Sequence, residues 1–338
     1  MKTHLILIFA VALFIGCSKS SNPTDSTTTP PANVPSGWSV VPDFAHYIGF
    51  YLLPTDFATF GNDLFILTSQ GIFYSTDDGV TTTKRDAKIY FIVGGKGMLL
   101  VKDNYLFASV PGTPFLLRSS DLGVTWVASG KSIGAYHPFV YNNTLYCAST
   151  GSSSAYRSTD NGDTWTVLGT GLSNGYGDVF VEIGGTFYIT RYSYKEAFIS
   201  TDQGATWTFY TGSVCPIIVN TPYSSYKSKV VTADGTTLIA RDVLTWPDTV
   251  AIWAAASGST SFAPRMFNRH GISSMVVSGK HIFAAGGGIY HSTDNGKSWE
   301  NIIPPKPENT SYNLVGISHG ILFAAGRALV RRPLSDFK

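Results

Sequence analysis

Five acidic side chains recur in one short sequence context and are the first candidates for chemistry. The context reads Ser-x-Asp-x-Gly-x-Thr or Ser, usually followed by Trp, and it carries Asp77, Asp121, Asp160, Asp202 and Asp294. Carboxylates brought together could act as a general acid and base or as calcium ligands. The regular spacing instead predicts one carboxylate per structural repeat, arranged around a perimeter where they cannot converge on one substrate.

The residue types of each copy suit a tight turn better than a catalytic site. Ser and Asp side chains can bond turn amides, Gly accepts a positive φ, and Trp provides a large ring to pack between sheets. We therefore interpret the five aspartates as structural, together with the tryptophans that end four copies. These tryptophans are Trp126, Trp165, Trp207 and Trp299, and the copy at 75–82 lacks one.

The spacing of the copies predicts the fold class. They begin at Ser75, Ser119, Ser158, Ser200 and Ser292. The intervals are about 40 residues, except for a last one of about twice that length. A degenerate copy at 255–262 fills this long interval, and a truncated copy begins at Arg332. Short strands at this period, without a sustained helical pattern, are typical of radially repeated β-sheets.

A second repeat counts the units independently. Each unit has a hairpin in which a turn precedes an apolar strand, and the turns fall near Asn62, Asp103, Asn142, Gly184, Asp234, Gly279 and His319. Gly, Asn and Asp are the usual turn residues of such hairpins. The count predicts an all-β, seven-bladed β-propeller, with six blades as the alternative. We expect Trp38 to Asp43 to supply the outer strand of the last blade and so close the ring.

The repeated motif resembles the BNR repeat or Asp-box. That family includes sialidases, sortilin-type receptors, family 74 xyloglucanases and photosystem II assembly factor-like proteins. The resemblance covers nearly all of residues 38 to 332. It implies a propeller in which the boxes hold turns together. It does not choose a function, since one fold hosts many.

The N-terminal segment predicts export and lipidation. Residues 5–16 form an apolar run that suits a signal peptide and is too short to span a bilayer. The run ends at Cys17 and resembles a bacterial lipobox, which implies removal of residues 1–16 and acylation of Cys17. An ordinary signal peptide cut nearby is the alternative. Residues 17–37 are rich in Ser, Thr and Pro and predict a disordered tether ahead of the propeller of residues 38–338.

The same resemblance predicts a location in the cell envelope. Ser18 follows the cysteine where some bacteria use Asp to retain lipoproteins in the inner membrane. An outer-membrane location is therefore expected, on the periplasmic or the surface side. The remaining cysteines, Cys147 and Cys215, then lie in a compartment that permits disulfides. A bridge between them and a buried free Cys147 both stay open.

Composition limits the classes of partner. A net charge of +2 with 14% charged residues provides no basic field for nucleic acid or an anionic membrane surface. Membrane contact is therefore expected only through the lipid. No spacing of His, Cys or acidic residues predicts a metal site, and no Gly-rich strand-to-helix turn predicts a cofactor. We expect a monomer.

The loops on the face opposite the boxes are the candidate binding site. Two of them, in blades four and five, are long and carry charged residues beside aromatic ones. Segments entering blades three and six join them on the same face. The candidate residues are Tyr136, His137, Arg191, Tyr192, Tyr194, Lys195, Glu196, Arg241, Asp242, Trp246, Arg265, Arg269 and His270. Guanidinium and aromatic groups together suit a glycan, a carboxylate or a protein loop. The alternative is a set of solvent-exposed loops without a ligand.

These observations favour a non-catalytic binding or assembly module for a glycan or protein partner. The alternative is a sialidase-like glycoside hydrolase. Resemblance to sialidases would require an arginine triad, a Tyr–Glu nucleophile pair and an acid Asp. No arginine lies between Cys17 and Arg85, so the Arg-Ile-Pro element that sialidases carry ahead of their boxes is missing. A xyloglucanase would need two propellers. We therefore predict no catalytic residue.

Overall fold

The computed structural model describes residues 37–44, 54–85, 97–110, 113–130, 132–149, 154–169, 172, 179–191, 196–210, 230–240, 250–256, 259, 261–268, 270–302, 304, 311–326 and 328–338. Their strands form seven four-stranded antiparallel sheets. In six sheets the strands follow one another in chain order, and the seventh takes its outer strand from the start of the domain. The protein is a seven-bladed β-propeller, as the hairpin count predicted.

The strands of the first four blades have the following bounds. Blade one contains β2 (Pro54–Phe60), β3 (Asp63–Thr68), β4 (Gly71–Ser75) and β5 (Thr83–Arg85). Blade two contains β6 (Met98–Lys102), β7 (Tyr105–Ser109), β8 (Leu116–Ser119) and β9 (Val127–Ala128). Blade three contains β10 (Ala135–Tyr141), β11 (Thr144–Ser149), β12 (Ala155–Ser158) and β13 (Thr166–Val167). Blade four contains β14 (Val179–Ile183), β15 (Thr186–Arg191), β16 (Glu196–Ser200) and β17 (Thr208–Phe209).

The last three blades follow the same plan. Blade five contains β18 (Val230–Ala233), β19 (Thr236–Ala240), β20 (Val250–Ala256) and β21 (Ala263–Phe267). Blade six contains β22 (Ser274–Ser278), β23 (His281–Ala285), β24 (Ile289–Ser292) and β25 (Glu300–Asn301). Blade seven contains β26 (Leu314–Ser318), β27 (Ile321–Ala325), β28 (Leu329–Pro333) and, as its outer strand, β1 (Ser39–Val40). Short 3-10 turns cover Pro42–Phe44 and Leu334–Asp336.

The first strand of each blade lies innermost. Strand β2 contacts β6 on one side and β26 on the other, and β22 contacts β18 and β26 in the same way. The contact between β2 and β26 brings blade seven against blade one and completes the ring. The fourth strands lie at the perimeter, where their short length limits the exposed sheet edge.

The predicted hairpin turns are present. Each connects the first and second strands of a blade, and each contains a residue with positive φ: Gly61, Asp103, Asn142, Gly184, Asp234, Gly279 and His319. Left-handed backbone favours Gly, Asn and Asp, so six of these positions follow from composition. His319 is the exception, and its side chain has a role at the ring closure described below.

The ring closes as predicted, through pairing of the first strand with the last. Ser39 lies opposite Arg331 and Val40 opposite Val330. Trp38, which is 2% exposed, packs between blades six and seven and takes the place of a box tryptophan. The paired strand is shorter than the predicted segment to Asp43, because Pro42 has no N–H to donate and begins a 3-10 turn.

The core lies between neighbouring blades. In one cluster, Phe65 and Leu67 of blade one pack against Leu99 and Leu106 of blade two. The third residue of the second strand is large and buried in every blade: Phe65, Phe107, Tyr146, Tyr188, Leu238, Phe283 and Phe323. Burial of one such side chain contributes about 1.5–3 kcal/mol. No helix in the described part of the chain is long and apolar enough to cross a membrane.

Candidate functional site

The hydroxyl of Ser119 and the carboxylate of Asp121 organise the box of blade two. The Ser119 hydroxyl donates to Asp121 Oδ1 at 2.7 Å and accepts the amide of Gly123 at 2.8 Å. Asp121 Oδ1 accepts the amide of Thr125 at 2.8 Å, and Oδ2 accepts the Thr125 hydroxyl at 2.6 Å. Both carboxylate oxygens are therefore engaged by their own turn.

The other boxes repeat this geometry. The Thr or Ser hydroxyl four residues after each aspartate donates to its carboxylate, and the serine two residues before it does the same. These hydrogen bonds, led by the one from the Thr or Ser hydroxyl, hold the pKa of four carboxylates at about 2: Asp121, Asp160, Asp202 and Asp294. Such a group stays ionised at neutral pH and is poorly suited to donate a proton as a general acid.

Each box tryptophan packs against the preceding blade. Trp126 lies in the cluster between blades one and two, Trp165 between two and three, Trp207 between three and four, and Trp299 between five and six. The indole N–H groups of Trp126 and Trp299 donate to the carbonyls of Gly123 and Gly296 at 3.0 Å. The tryptophans thereby join each box to the core at a blade interface.

Boxes and hairpin turns share one face of the ring, which we call the box face. His319, in the hairpin turn of blade seven, lies 2.7 Å from the carboxylate of Asp78 in the box of blade one. Its other ring nitrogen lies 2.9 Å from the carbonyl of Gly61 in the hairpin turn of blade one. Arg331 adds a bond of 2.9 Å to the Asp78 carbonyl.

A joint of the same type connects blades two and three. Arg118 donates to the carbonyl of Asn161 at 2.7 Å and to the carboxylate of Asp163 at 2.5 Å. Lys102, whose side chain is 2% exposed, reaches both Asp103 and Asn161. Arg118 and Arg331 hold equivalent positions in the third strands of their blades, and each binds a box of the next blade. The box face thus also carries contacts between blades.

The connections from second to third strands, and those from one blade to the next, lie on the opposite face, which we call the loop face. Arg191 ends β15 and Glu196 begins β16, and the two residues are paired in register. They therefore flank the predicted loop of blade four on this face. Seven candidate residues lie outside the described residues: Tyr192, Tyr194, Lys195, Arg241, Asp242, Trp246 and Arg269.

Tyr136 and His137 lie in a strand and not in a loop. They belong to β10, the innermost strand of blade three, and Tyr136 pairs with Ala148. The register shifts between Tyr136 and Phe139, so a bulge places His137 off the regular ladder. The strand begins at the loop face, and these two residues are therefore near its inner rim.

Arg265 and His270 lie in different elements, a strand and the turn that follows it. Arg265 lies in β21, the outer strand of blade five, and its Nε is buried without a hydrogen-bond partner in the described part of the chain. His270 is exposed in the turn that follows this strand, close to Gly287 in the short loop of blade six. The prediction that Arg265 lies in a connecting segment is therefore wrong, because pairing of β21 with β20 extends the sheet of blade five through Arg265.

Three residues around this short loop were not among the candidates. The Asn268 amide donates to the hydroxyl of Tyr290 at 3.0 Å, and Asn313 accepts the amide of Gly287 at 3.4 Å. A Cβ on Gly286 would lie 2.0 Å from the carbonyl oxygen of Gly271, so a close backbone approach requires this glycine. The polar residues that flank a glycine-rich turn were the available signal for this cluster.

Cys147 is a free thiol. It is fully buried between blades two and three, and burial raises its pKa. It therefore behaves as a small apolar residue and not as a nucleophile. Cys215 and Cys17 lie outside the described residues. Within the described ranges, no group of three His, Cys, Asp or Glu side chains could hold a metal ion.

Comparisons with known proteins agree with the repeat and the fold. A model of the BNR/Asp-box repeat matches residues 198–209 and 290–301, in blades four and six. No curated protein matches the sequence. The solved structure of YCF48 from Cyanidioschyzon merolae superposes with a TM-score of 0.55 at 14% identity, covering 89% of this chain and 100% of that one.

Two further solved structures share the architecture. YCF48 bound to D1 peptide has a TM-score of 0.59 at 14% identity, covering 88% of this chain and 97% of that one. A catalytically inactive virginiamycin B lyase from Staphylococcus aureus, solved with quinupristin, has a TM-score of 0.60 at 11% identity, covering 83% of this chain and 94% of that one. At these identities the likeness shows the fold alone.

Proposed function

We propose that this chain is a non-catalytic binding module of the cell envelope, anchored by a lipid on Cys17, that takes a segment of a protein partner on its loop face. The observation that carries this proposal is that the two faces of the ring differ in how their residues are used. Side chains of the box face are engaged in turns and blade joints, whereas the loop face carries connections that differ from blade to blade.

The chemistry of the boxes supports binding over catalysis. Their carboxylates, held at a pKa of about 2, are one per blade and hydrogen-bonded within their own turns. A glycosidase needs two carboxyl groups on either side of one bond, roughly 5–10 Å apart, with the acid raised in pKa. In the boxes, by contrast, the carboxylates are distributed one per blade, and their pKa values are lowered instead of raised.

A protein segment is the favoured partner. One propeller of this architecture, YCF48, has been solved with a D1 peptide bound. On the loop face of the present chain, Arg191 and Glu196 flank the loop of blade four, and exposed His270 lies beside blade six. Charged and imidazole groups of this kind can bind backbone and side-chain groups of a peptide.

Selection of a displayed library of random 12-residue peptides on the mature chain tests the binding site. We expect peptides whose affinity falls at least tenfold in a chain carrying both Arg191→Ala and His270→Ala. The matched control is Lys297→Ala, an exposed position on the box face, which should leave affinity unchanged. Equal binding by all three proteins would place the site elsewhere and contradict the proposal.

A glycan array and a fluorogenic sialoside test the alternative that the chain is a sialidase-like hydrolase. The expected result is no turnover and no sialoside binding. Turnover that is lost on substitution of Arg191 would instead identify a sialidase-like enzyme, despite the seven blades and the missing Arg-Ile-Pro element.

The lipid anchor needs its own measurement. Metabolic labelling with a palmitate analogue should modify the wild-type chain, and Cys17→Ala should abolish the label and release the protein from the membrane fraction. Label that persists in this variant would refute acylation at Cys17.

A further inference from the structure

Blade six presents a histidine where blades two and seven present an arginine. Arg118 in blade two and His291 in blade six each precede the serine of their box, and each faces the next blade. Arg118 meets Asp163 in the box of blade three. Blade seven ends in the 3-10 turn Leu334–Asp336 instead of a complete box, and His291 meets Phe337, with 5.1 Å between ring centroids.

His291 is the centre of a hydrogen-bonded row across three adjacent strands. Its Nε2 lies 2.9 Å from Nδ1 of His281 on β23, and its Nδ1 lies 2.6 Å from Oε1 of Glu300 on β25. The two imidazoles are nearly coplanar, at an interplanar angle of 16°, so they meet end to end. Phe283 stacks on His291 at 4.8 Å, and Phe337 packs across Phe283 at 4.9 Å.

The number of protons decides whether this row can persist. A hydrogen bond between two imidazole nitrogens needs one proton between them. With both rings neutral, His281 donates to His291, and His291 donates to Glu300. With one added proton the two rings still hold a single proton between them, and the Glu300 carboxylate at 2.6 Å from His291 compensates the charge. A second added proton places two N–H groups against each other, and the bond between the rings is lost.

The charged surroundings oppose that second proton. Burial, the neighbouring His291 and the Lys280 ammonium together lower the pKa of His281. Arg332 lies over Phe337 at 4.4 Å and bonds Asp336 at 3.4 Å, while Lys338 follows Phe337 in sequence. Glu300, 66% exposed, is the negative group in contact with the row. The Asp336 carboxylate is thus engaged by Arg332, and Glu300 is the carboxylate that bonds His291.

We propose that the row of His281, His291 and Glu300 is an acid-sensitive latch, which holds Phe337 against blade six while the row carries at most one positive charge and releases it when both imidazoles are protonated. The latch acts at the ring closure, because the turn that carries Phe337 also contacts Gly37, next to the first strand. Mild acid would thereby loosen the closure from the blade-six side without disturbing the boxes.

Fluorine NMR of the full mature chain with 4-fluorophenylalanine at position 337 tests the latch. As pH falls from 7.5 to 5, we expect a second resonance for the released ring, whose intensity relative to that of the packed ring increases by about tenfold. His281→Phe keeps a flat ring but removes the shared proton, and it should abolish the pH dependence.

Glu300→Gln and a matched control complete the design. Loss of the carboxylate makes each protonation of the row harder, so release should shift to lower pH, an effect that a purely structural contact would not give. His270→Gln changes an exposed histidine near the same blade and should leave the transition in place. No release in wild type, an equal transition in His281→Phe, or an unshifted one in Glu300→Gln would each contradict the latch.

Discussion

The two faces of the ring are built on different principles. On the box face, blades one to four and blade six repeat the same Ser and Asp hydrogen bonds. Side chains such as Arg118 and Arg331 add hydrogen bonds to the box of the next blade. On the loop face, each blade has its own connection, and the described contacts there differ between blades, such as the Thr68 hydroxyl to the Gly71 carbonyl at 2.8 Å and the Gly287 amide to Asn313 at 3.4 Å. The repeated contacts of the box face therefore stabilise the ring, and the varied connections of the loop face are where a partner would be recognised.

The largest expected effect comes from breaking one box. The hydroxyl of Ser158, 2% exposed, accepts the amide of Gly162 at 2.8 Å and donates to Asp160. Ser158→Ala leaves this buried amide without a partner and should lower the free energy of unfolding by about 1–3 kcal/mol. Urea unfolding followed by near-UV circular dichroism measures the change. Thr159→Ala, an exposed position in the same turn, is the control and should change stability by about 0.5 kcal/mol or less.

Low pH should weaken all intact boxes together. The folded pKa of Asp294 is about 2, below the unfolded value of about 3.9, so its contribution is present above pH 4 and is lost as pH falls toward 2. The thermal unfolding midpoint should therefore drop through this window. Asp294→Asn should make the drop shallower. The effect per box is smaller than that of Ser158→Ala because the carboxylates are partly exposed and screened by solvent.

The contribution of His319 should have the opposite sign. Hydrogen bonds to the Gly61 carbonyl and the Asp78 carboxylate raise its pKa, so its stabilisation is complete below the unfolded value of about 6.5 and is lost as pH rises through the folded pKa. Unfolding midpoints measured between pH 6 and 9 should decline more in wild type than in His319→Asn, which keeps a residue suited to the turn. A parallel decline in both proteins would show that the joint between blades seven and one does not depend on the charge of His319.

Sequence reasoning reached the parts of the fold that repeat. Seven turn positions, the box register and the place of Trp38 in the ring closure follow from local rules applied many times, so one weak signal supports another. The degenerate copy at 255–262 also bridges the third and fourth strands of blade five, where β20 ends at Ala256 and β21 begins at Ala263.

Contacts that occur in one place in the ring could not be predicted from the repeated sequence pattern. His281 and His291 meet because the register of β23 and β24 places them on the same side of adjacent strands, and Phe337 meets them across the boundary between blades six and seven. Charged residues beside aromatic ones predict a binding loop around Arg265, whereas this residue lies in β21. The position of Asn161 beneath Arg118 depends on the angle between two blades, which no local pattern encodes.

The smallest expected effect on stability is that of a substitution at His270, on the loop face. His270 is exposed and its side chain makes no hydrogen bond recorded among the described residues, so His270→Ala should change the free energy of unfolding by about 0.5 kcal/mol or less. The same variant, combined with Arg191→Ala, is expected to lose peptide binding. Loss of binding with unchanged stability would separate the working surface from the scaffold, whereas a destabilisation comparable to that of Ser158→Ala would mean that the loop face also holds the ring together.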